Sequence, residues 1–220
     1  DDLLERFMRD HGGIPANIGY EGFPKASCIS PNHVICHGIP SDHKVLDSGD
    51  IINIDITVIL DGWYGDTSRM YYVGKPSVMA RRLVETTYDT MMAGIRASKP
   101  GATLGDVGYA MQNVALDKGY SVVEDYCGHG IGRVYHSLPN VLNYGIPGEG
   151  LKLVPGLVFT VEPMVNVGRP DTMTLSDGWT VVTKDRKLSA QFEHTIGITP
   201  DGYEIFTLSP KGFTKPPYTP

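Results

Sequence analysis

Cysteine is scarce in this chain. Its 220 residues hold three, Cys28, Cys36 and Cys127, an odd number with no C-x-x-C spacing. That excludes a zinc ribbon and a disulfide framework, and it favours a reducing, cytoplasmic compartment. Long apolar runs are missing too. No stretch approaches the ~20 residues of a membrane span, and no signal-peptide pattern precedes the first helix, so no membrane partner is expected. Basic residues do not cluster and the net charge is −6, which argues against a nucleic-acid surface. What remains is the composition of an ordinary soluble globular protein, long enough for one sizeable core and with nothing that demands two domains. No apolar surface stripe suggests an obligate dimer, so a monomer is expected.

The most informative stretch runs from Gly49 to Ser68. Ile52, Ile54, Ile56, Val58 and Leu60 alternate with Asn53, Asp55 and Thr57, the period of a strand with a core behind its apolar face. Asp61-Gly62 reads as a two-residue hairpin turn, because this pair takes the positive φ angles such a loop needs. Leu60 then pairs with Trp63, and Asp66 falls opposite Thr57. Asp66 and Asp55 become diagonal neighbours on one face, roughly 7 Å or less apart at their roots. Two carboxylates that close repel unless a cation sits between them. Either both are solvated on an exposed face, or the rest of the chain supplies more ligands.

Leu3, Leu4, Phe7, Met8 and His11 mark one face of a first helix ended by Gly12-Gly13. Pro15, Pro24 and Pro31 break the next stretch into loops and short strands, in which Tyr20, Phe23 and Cys28 are core filler or the wall of a pocket. Val34-Ile35-Cys36 is a short strand leading to His37. Ser77 caps a helix with Ala80, Leu83, Val84, Thr87, Tyr88, Met91 and Ile95 inward, and Thr103 with Asp106 forms a capping box for a second that Gly119 closes. Gly128, Gly130 and Gly132, around His129, let the backbone come close to something bulky, read here as a metal or substrate. Residues 157–161 are extended, and Pro163 holds Glu162 out of the helical region at their end. Residues 179–182 and 191–196 are further strands. The order is helix, strands, helix pair, strands, which is α+β and not a doubly wound alternation.

Asp55, Asp66, His129, Glu162 and Glu193 are the polar residues at unlikely places. Each alone reads more simply as a hydrogen-bonded histidine or a surface acid. Together they form a hard, oxygen-rich donor set suited to Mn, Fe, Co or catalytic Zn. Four carboxylates are too many for one ion with an open position, but they suit two ions about 3.5–4 Å apart, and four negative charges balance two divalent cations.

Six segments then carry a resemblance. They are Cys36-His37-Gly38-Ile39-Pro40, Asn53-Ile54-Asp55, Gly65-Asp66-Thr67-Ser68, Gly128-His129-Gly130-Ile131-Gly132, Phe159-Thr160-Val161-Glu162-Pro163-Met164 and Ser189-Ala190-Gln191-Phe192-Glu193-His194-Thr195. In combination and order they resemble the motifs of type I methionine aminopeptidases, from about Gly19 to Leu208. The resemblance implies the pita-bread (creatinase/aminopeptidase) fold, with two pseudo-symmetric αβ halves around a dinuclear metal site. It makes residues 1–208 a single catalytic domain whose first helix is missing, followed by a Pro-rich tail at 209–220. It makes Asp55, Asp66, His129, Glu162 and Glu193 the metal ligands of two divalent ions (Co, Mn, Fe, Zn or Ni). Glu162 takes the proton of a metal-bridging water, His136 contacts the scissile amide and His37 faces the substrate amine or amide. Tyr20, Phe23, Cys28, Tyr135 and Trp179 match the wall of the methionine pocket, with Phe23 where many relatives have Tyr and Asn17 where some have Cys. The implied activity is removal of N-terminal methionine, ahead of a small second residue, from peptides and from nascent chains at the ribosome.

Three rivals stand beside this reading. An Xaa-Pro-specific peptidase shares the fold. A non-enzymatic relative would bind protein or RNA, but it would be expected to have lost ligands. A cysteine hydrolase would use Cys36 and His37, which alternate along a strand and so face opposite ways.

Overall fold

The computed structural model describes residues 1–218. The chain opens with α1 (Asp2–Asp10), followed by β1 (Ile14–Pro15), a single helical turn at Tyr20–Gly22, β2 (Cys28–Pro31) and β3 (Val34–Cys36). The long hairpin of β4 (Ile51–Leu60) and β5 (Trp63–Tyr72) leads into α2 (Val78–Ala97) and α3 (Leu104–Asp117). Then come β6 (Ser121–Val122), β7 (Gly128–Gly130), β8 (Ser137–Val141), β9 (Val158–Val161) and β10 (Met164–Asn166). The last elements are β11 (Thr172–Thr174), β12 (Val181–Thr183), β13 (Ser189–Gln191), β14 (Glu193–Thr199) and β15 (Gly202–Ile205).

The hairpin forms as its sequence dictates. Asp61 and Gly62 take φ angles of 51° and 76°, the left-handed pair that lets two residues close a twisted ribbon. Leu60 pairs with Trp63, Thr57 with Asp66 and Asp55 with Ser68. The sidedness of β4 differs from the alternation reading. Asn53 and Thr57 are buried and Asp55 half-buried, whereas on the apolar face only Ile52 is buried, Ile54, Ile56 and Val58 are half-buried and Leu60 is exposed. The polar face is the interior one, because it looks into a cavity shared by both halves of the molecule.

The main sheet runs β1-β4-β5-β14-β9-β7-β8, with β2 also on β4 and β15 also on β14. Its central seam is the pairing of β5 with β14, Ser68 to Glu193 and Thr67 to His194. Asn53 Nδ2 of β4 donates to the Gln191 carbonyl of β13 at 2.9 Å. Two helices cover the sheet. Ser77 accepts the Ala80 N–H at 3.1 Å, and Thr103 with Asp106 forms the reciprocal capping box. Leu83, Val84, Met91 and Ile95 of α2 and Val107, Met111 and Ala115 of α3 bury against Phe159, Val161, Ile196 and Ile198. Burying such side chains is worth about 1.5–3 kcal/mol each before conformational entropy is charged.

α1 departs from its expected face: Met8 is buried, but Leu3 and Phe7 are exposed. Asp1 does not cap it; its carboxylate accepts the Ser27 N–H at 2.9 Å and the Ser27 hydroxyl at 2.7 Å. Beyond Ile205 the described chain has no helix or strand, yet it is pinned. Arg69 Nη1 donates to the Phe213 carbonyl at 2.6 Å, and the Tyr218 hydroxyl donates to the Met70 carbonyl at 2.9 Å. Thr219 and Pro220, the end of the expected tail, lie outside the described residues.

Candidate metal centre and substrate pocket

Strand register gathers the acids. Asp55 and Glu193 both pair with Ser68, from opposite sides. Paired residues share a face, and so do residues two apart on one strand. Asp66 therefore joins them. Thr160 pairs with Thr195, which carries the same face onto β9 and presents Glu162 just past its end. On β7 the His129 N–H donates to Thr160 Oγ1 at 2.9 Å, fixing the imidazole beside Glu162.

Donor atoms of Asp66, His129 and Glu193 lie within 4.8 Å of one another. His129 Nε2 is 3.6 Å from Asp66 Oδ2 and 3.6 Å from Glu162 Oε1, too far for direct hydrogen bonds. Asp55 completes the set in the same cavity of about 340 Å³. Among the described residues no Lys or Arg pairs with any of the four carboxylates.

That arrangement is costly as it stands. Burial, then the charges of Asp66 and Glu162, push the Asp55 carboxyl well above its usual range. Burial and the charges of Asp66, Glu162 and Asp55 do the same to Glu193. Burial raises Glu162 to about 7, even though His129 and the Thr160 hydroxyl pull it back. Burial alone would lower His129, but Asp66 and Glu162 outweigh it and the imidazole rises. Four acids and an imidazole without a balancing cation fit a divalent metal site in donor type, sidedness and charge. Neutral donors hold the carboxylates in place. Thr57 Oγ1 donates to Asp66 Oδ1 at 2.8 Å, Thr160 Oγ1 to Glu162 Oε1 at 2.7 Å and Gln191 Nε2 to Glu162 Oε2 at 3.2 Å.

Every residue named for the pocket lines this cavity: Tyr20, Phe23, Cys28, His37, Tyr135, His136 and Trp179. Trp179 stands edge-on to Phe23 at 5.2 Å and to His37 at 6.0 Å. Tyr135 stacks on His136 at 3.9 Å and on Tyr64 at 5.4 Å. The Tyr20 hydroxyl is 2.8 Å from His136 Nδ1. Burial and then His129 lower His136 to about 4, so it stays neutral at neutral pH. Burial lowers His37 as well, against the pull of Asp66.

Two expectations need correction. The side-chain directions of Gly128 and Gly130 are closed by protein and not by a metal or substrate, although Gly128 itself lines the cavity. A Cβ on Gly128 would stand 2.5 Å from the Thr160 carbonyl oxygen, and one on Gly130 would stand 2.3 Å from that of Leu138; the close approach is to neighbouring strands. Strand alternation also fails to separate Cys36 from His37. His37 has φ 56°, which ends the strand and turns its ring into the cavity that Cys36 also lines. Burial also pushes the Cys36 thiol well up, away from the thiolate a nucleophile needs, which counts against the dyad.

The sequence marks neither Tyr64 nor Asn140 as a site residue; Asn17 stands out only as a departure from relatives, and Gln191 only inside a motif. Asn17, Asn140 and Gln191 line the cavity, and Tyr64 backs Tyr135. Gln191 had a signal, as a polar side chain two residues before Glu193 on an extended run. Asn17 sits in an irregular stretch, where periodicity carries none, and Asn140 lies in β8, too short a strand to show a period.

The model of metallopeptidase family M24 matches residues 1–200. The chain is 61% identical over 219 residues to a methionine aminopeptidase of Rickettsia prowazekii (strain Madrid E), covering 99% of this chain and 84% of the relative. The crystal structure of methionine aminopeptidase from Rickettsia prowazekii superposes with a TM-score of 0.93 at 62% identity, over 94% of this chain and 84% of that one. A prolidase from Pyrococcus horikoshii OT3 superposes with a TM-score of 0.66 at 24% identity, over 83% of this chain and 47% of that one. At that identity the likeness is one of fold alone.

Proposed function

The chain belongs to metallopeptidase family M24, and from that premise we propose that it is a pita-bread hydrolase removing N-terminal methionine from peptides whose second residue is small. One observation carries the reading: four carboxylates and an imidazole converge on one side of a cavity whose other wall is aromatic rings and a thiol. Aromatic edges and polarisable sulfur suit an unbranched thioether.

Asp55, Asp66, His129, Glu162 and Glu193 would hold two divalent ions, drawn from Co, Mn, Fe, Zn or Ni. Such ions supply Lewis acidity and a water acidic enough to attack an amide near neutral pH. Glu162 is the proton acceptor in this scheme: its carboxylate stands at the end of β9, facing the cavity beside His129. His136, neutral and held by Tyr20, donates a hydrogen bond to the amide as charge develops on it. His37, held in a left-handed conformation at the mouth of the thioether pocket, faces the substrate amine. Tyr20, Phe23, Cys28, Tyr135 and Trp179 exclude water from the side chain.

The substrates are methionyl peptides, and in the cell nascent chains at the ribosome. Free Cys28, Cys36 and Cys127 support a reducing cytoplasm, and no described helix is long and apolar enough to cross a membrane. We assign the working form as a monomer, with residues 1–208 as its catalytic domain.

The test uses protein stripped of metal by a chelator and then given each divalent ion in turn. Met-Ala-Ser should be cleaved after metal is restored, while an Xaa-Pro peptide is left intact. Preference for the Xaa-Pro peptide, or activity that ignores the chelator, would overturn the proposal.

A further inference from the structure

A single hydrogen-bonded chain joins the pocket wall to the carboxylate cluster, and the reaction as described makes no use of it. Thr57 is fully buried in β4, with its hydroxyl on Asp66 Oδ1 at 2.8 Å. The same Thr57 oxygen lies 2.5 Å from the Tyr135 hydroxyl. That hydroxyl lies 2.9 Å from Asn17 Oδ1, and Asn17 Nδ2 lies 3.8 Å from the Cys28 sulfur.

Each hydroxyl has only one hydrogen to give. Thr57 gives its own to the carboxylate, the strongest acceptor it reaches. The short Thr57–Tyr135 contact then needs the phenolic hydrogen, which leaves none for Asn17. Turning the Asn17 amide end over resolves the count, and amide orientation is assigned from such networks. Nδ2 now donates to the Tyr135 oxygen, and Oδ1 accepts the Cys28 thiol hydrogen. Burial keeps that thiol protonated, and it keeps the phenol protonated as well. The chain runs one way, from Cys28 through Asn17, Tyr135 and Thr57 to Asp66. The phenol at its centre cannot swing, because Tyr64 and His136 stack on it and Tyr20 packs at 4.8 Å.

We propose that Tyr135 and Thr57 are positioning residues for the metal-binding carboxylate Asp66: the phenol aims the Thr57 hydroxyl, and Thr57 fixes one oxygen of Asp66. The wall of the methionine pocket thus sets the orientation of a ligand it does not touch. This rests on Asp66 being a metal ligand, as proposed above. Partners of metal ligands typically change affinity by about 10–100-fold when removed.

The test is calorimetric titration of the metal-depleted protein with Mn²⁺, with no substrate present. Thr57→Val should weaken binding about 10-fold or more, and Thr57→Ser should restore it to within about twofold. Tyr135→Phe, which removes one oxygen that contacts no carboxylate, should weaken binding several-fold. In the Thr57→Val background it should cost nothing more, because both changes cut one chain. A pocket wall with no link to the metal would raise KM for methionyl peptides on Tyr135→Phe and leave Mn²⁺ affinity unchanged, which overturns the inference. So does full additivity of the two substitutions. Were Thr57→Val to unfold, Tyr135→Phe against wild type decides alone. A wild-type protein that binds no Mn²⁺ would defeat the metal reading itself, and this inference with it.

Discussion

Glu162 shows at the scale of one side chain what the site demands. In the metal-free protein burial holds its carboxyl near 7, and Asp55 and Glu193 are also pushed above their usual range. Divalent ions bind the ionised forms, and they bind an imidazole without its added proton. His129 is raised too, so all four groups lose protons on binding. Metal uptake at about pH 6 should therefore release at least about one proton per chain, read as heats that differ between buffers of different ionisation enthalpy. Affinity should climb as pH rises through about 7, the Glu162 value. Heats that match in every buffer would mean these acids are already ionised and solvated. The identity of the site acids was legible because an acid on a strand is rare enough to notice. Their supports were not: Thr160 and Gln191 are ordinary strand residues until β9 and β13 bring their side chains to Glu162.

Among the elements, the β4–β5 hairpin could be read to the residue, because a two-residue turn leaves one register and register sets the diagonal of Asp55 and Asp66. The helix starts at Ser77 and Thr103 were equally plain, since capping chemistry is local. The sidedness of β4 could not be read. Isoleucines at alternate positions declare an apolar face, but which face is interior depends on what packs across it, and here it is Asn53, Thr57 and the cavity. The glycines around His129 misled for a similar reason, since the tight approach at Gly128 and Gly130 is to β9 and β8. A Cβ on Gly132 would meet nothing nearer than Trp63 at 3.6 Å, against 2.3 Å from the Leu138 carbonyl for Gly130. Gly130→Ala should therefore destabilise the metal-free protein by the ~1–3 kcal/mol that overpacking costs, read as a lower melting temperature. Gly132→Ala should leave the stability within about 0.5 kcal/mol of wild type. Equal melting temperatures for the two would remove this account of the spacing.

On the scale of the whole molecule, the site exists only because β5 and β14 pair. Glu193 meets Ser68 across that seam, joining residues far apart in the chain, and no local pattern announces the pairing. The sequence showed which residues were out of place, and the family resemblance said they meet; the strand order shows how. The pinned segment after Ile205 was less legible still, because Pro-rich composition hides the few contacts, such as Tyr218 on Met70, that hold it. The central claim is that acids from both halves share one face closely enough to require two divalent cations. Crystals of the protein grown with Mn²⁺ and measured at the manganese absorption edge test it directly. The account predicts two anomalous peaks about 3.5–4 Å apart, bounded by Asp55, Asp66, His129, Glu162 and Glu193. Peaks elsewhere, or none beside these five residues at full occupancy of Mn²⁺ in solution, would contradict it.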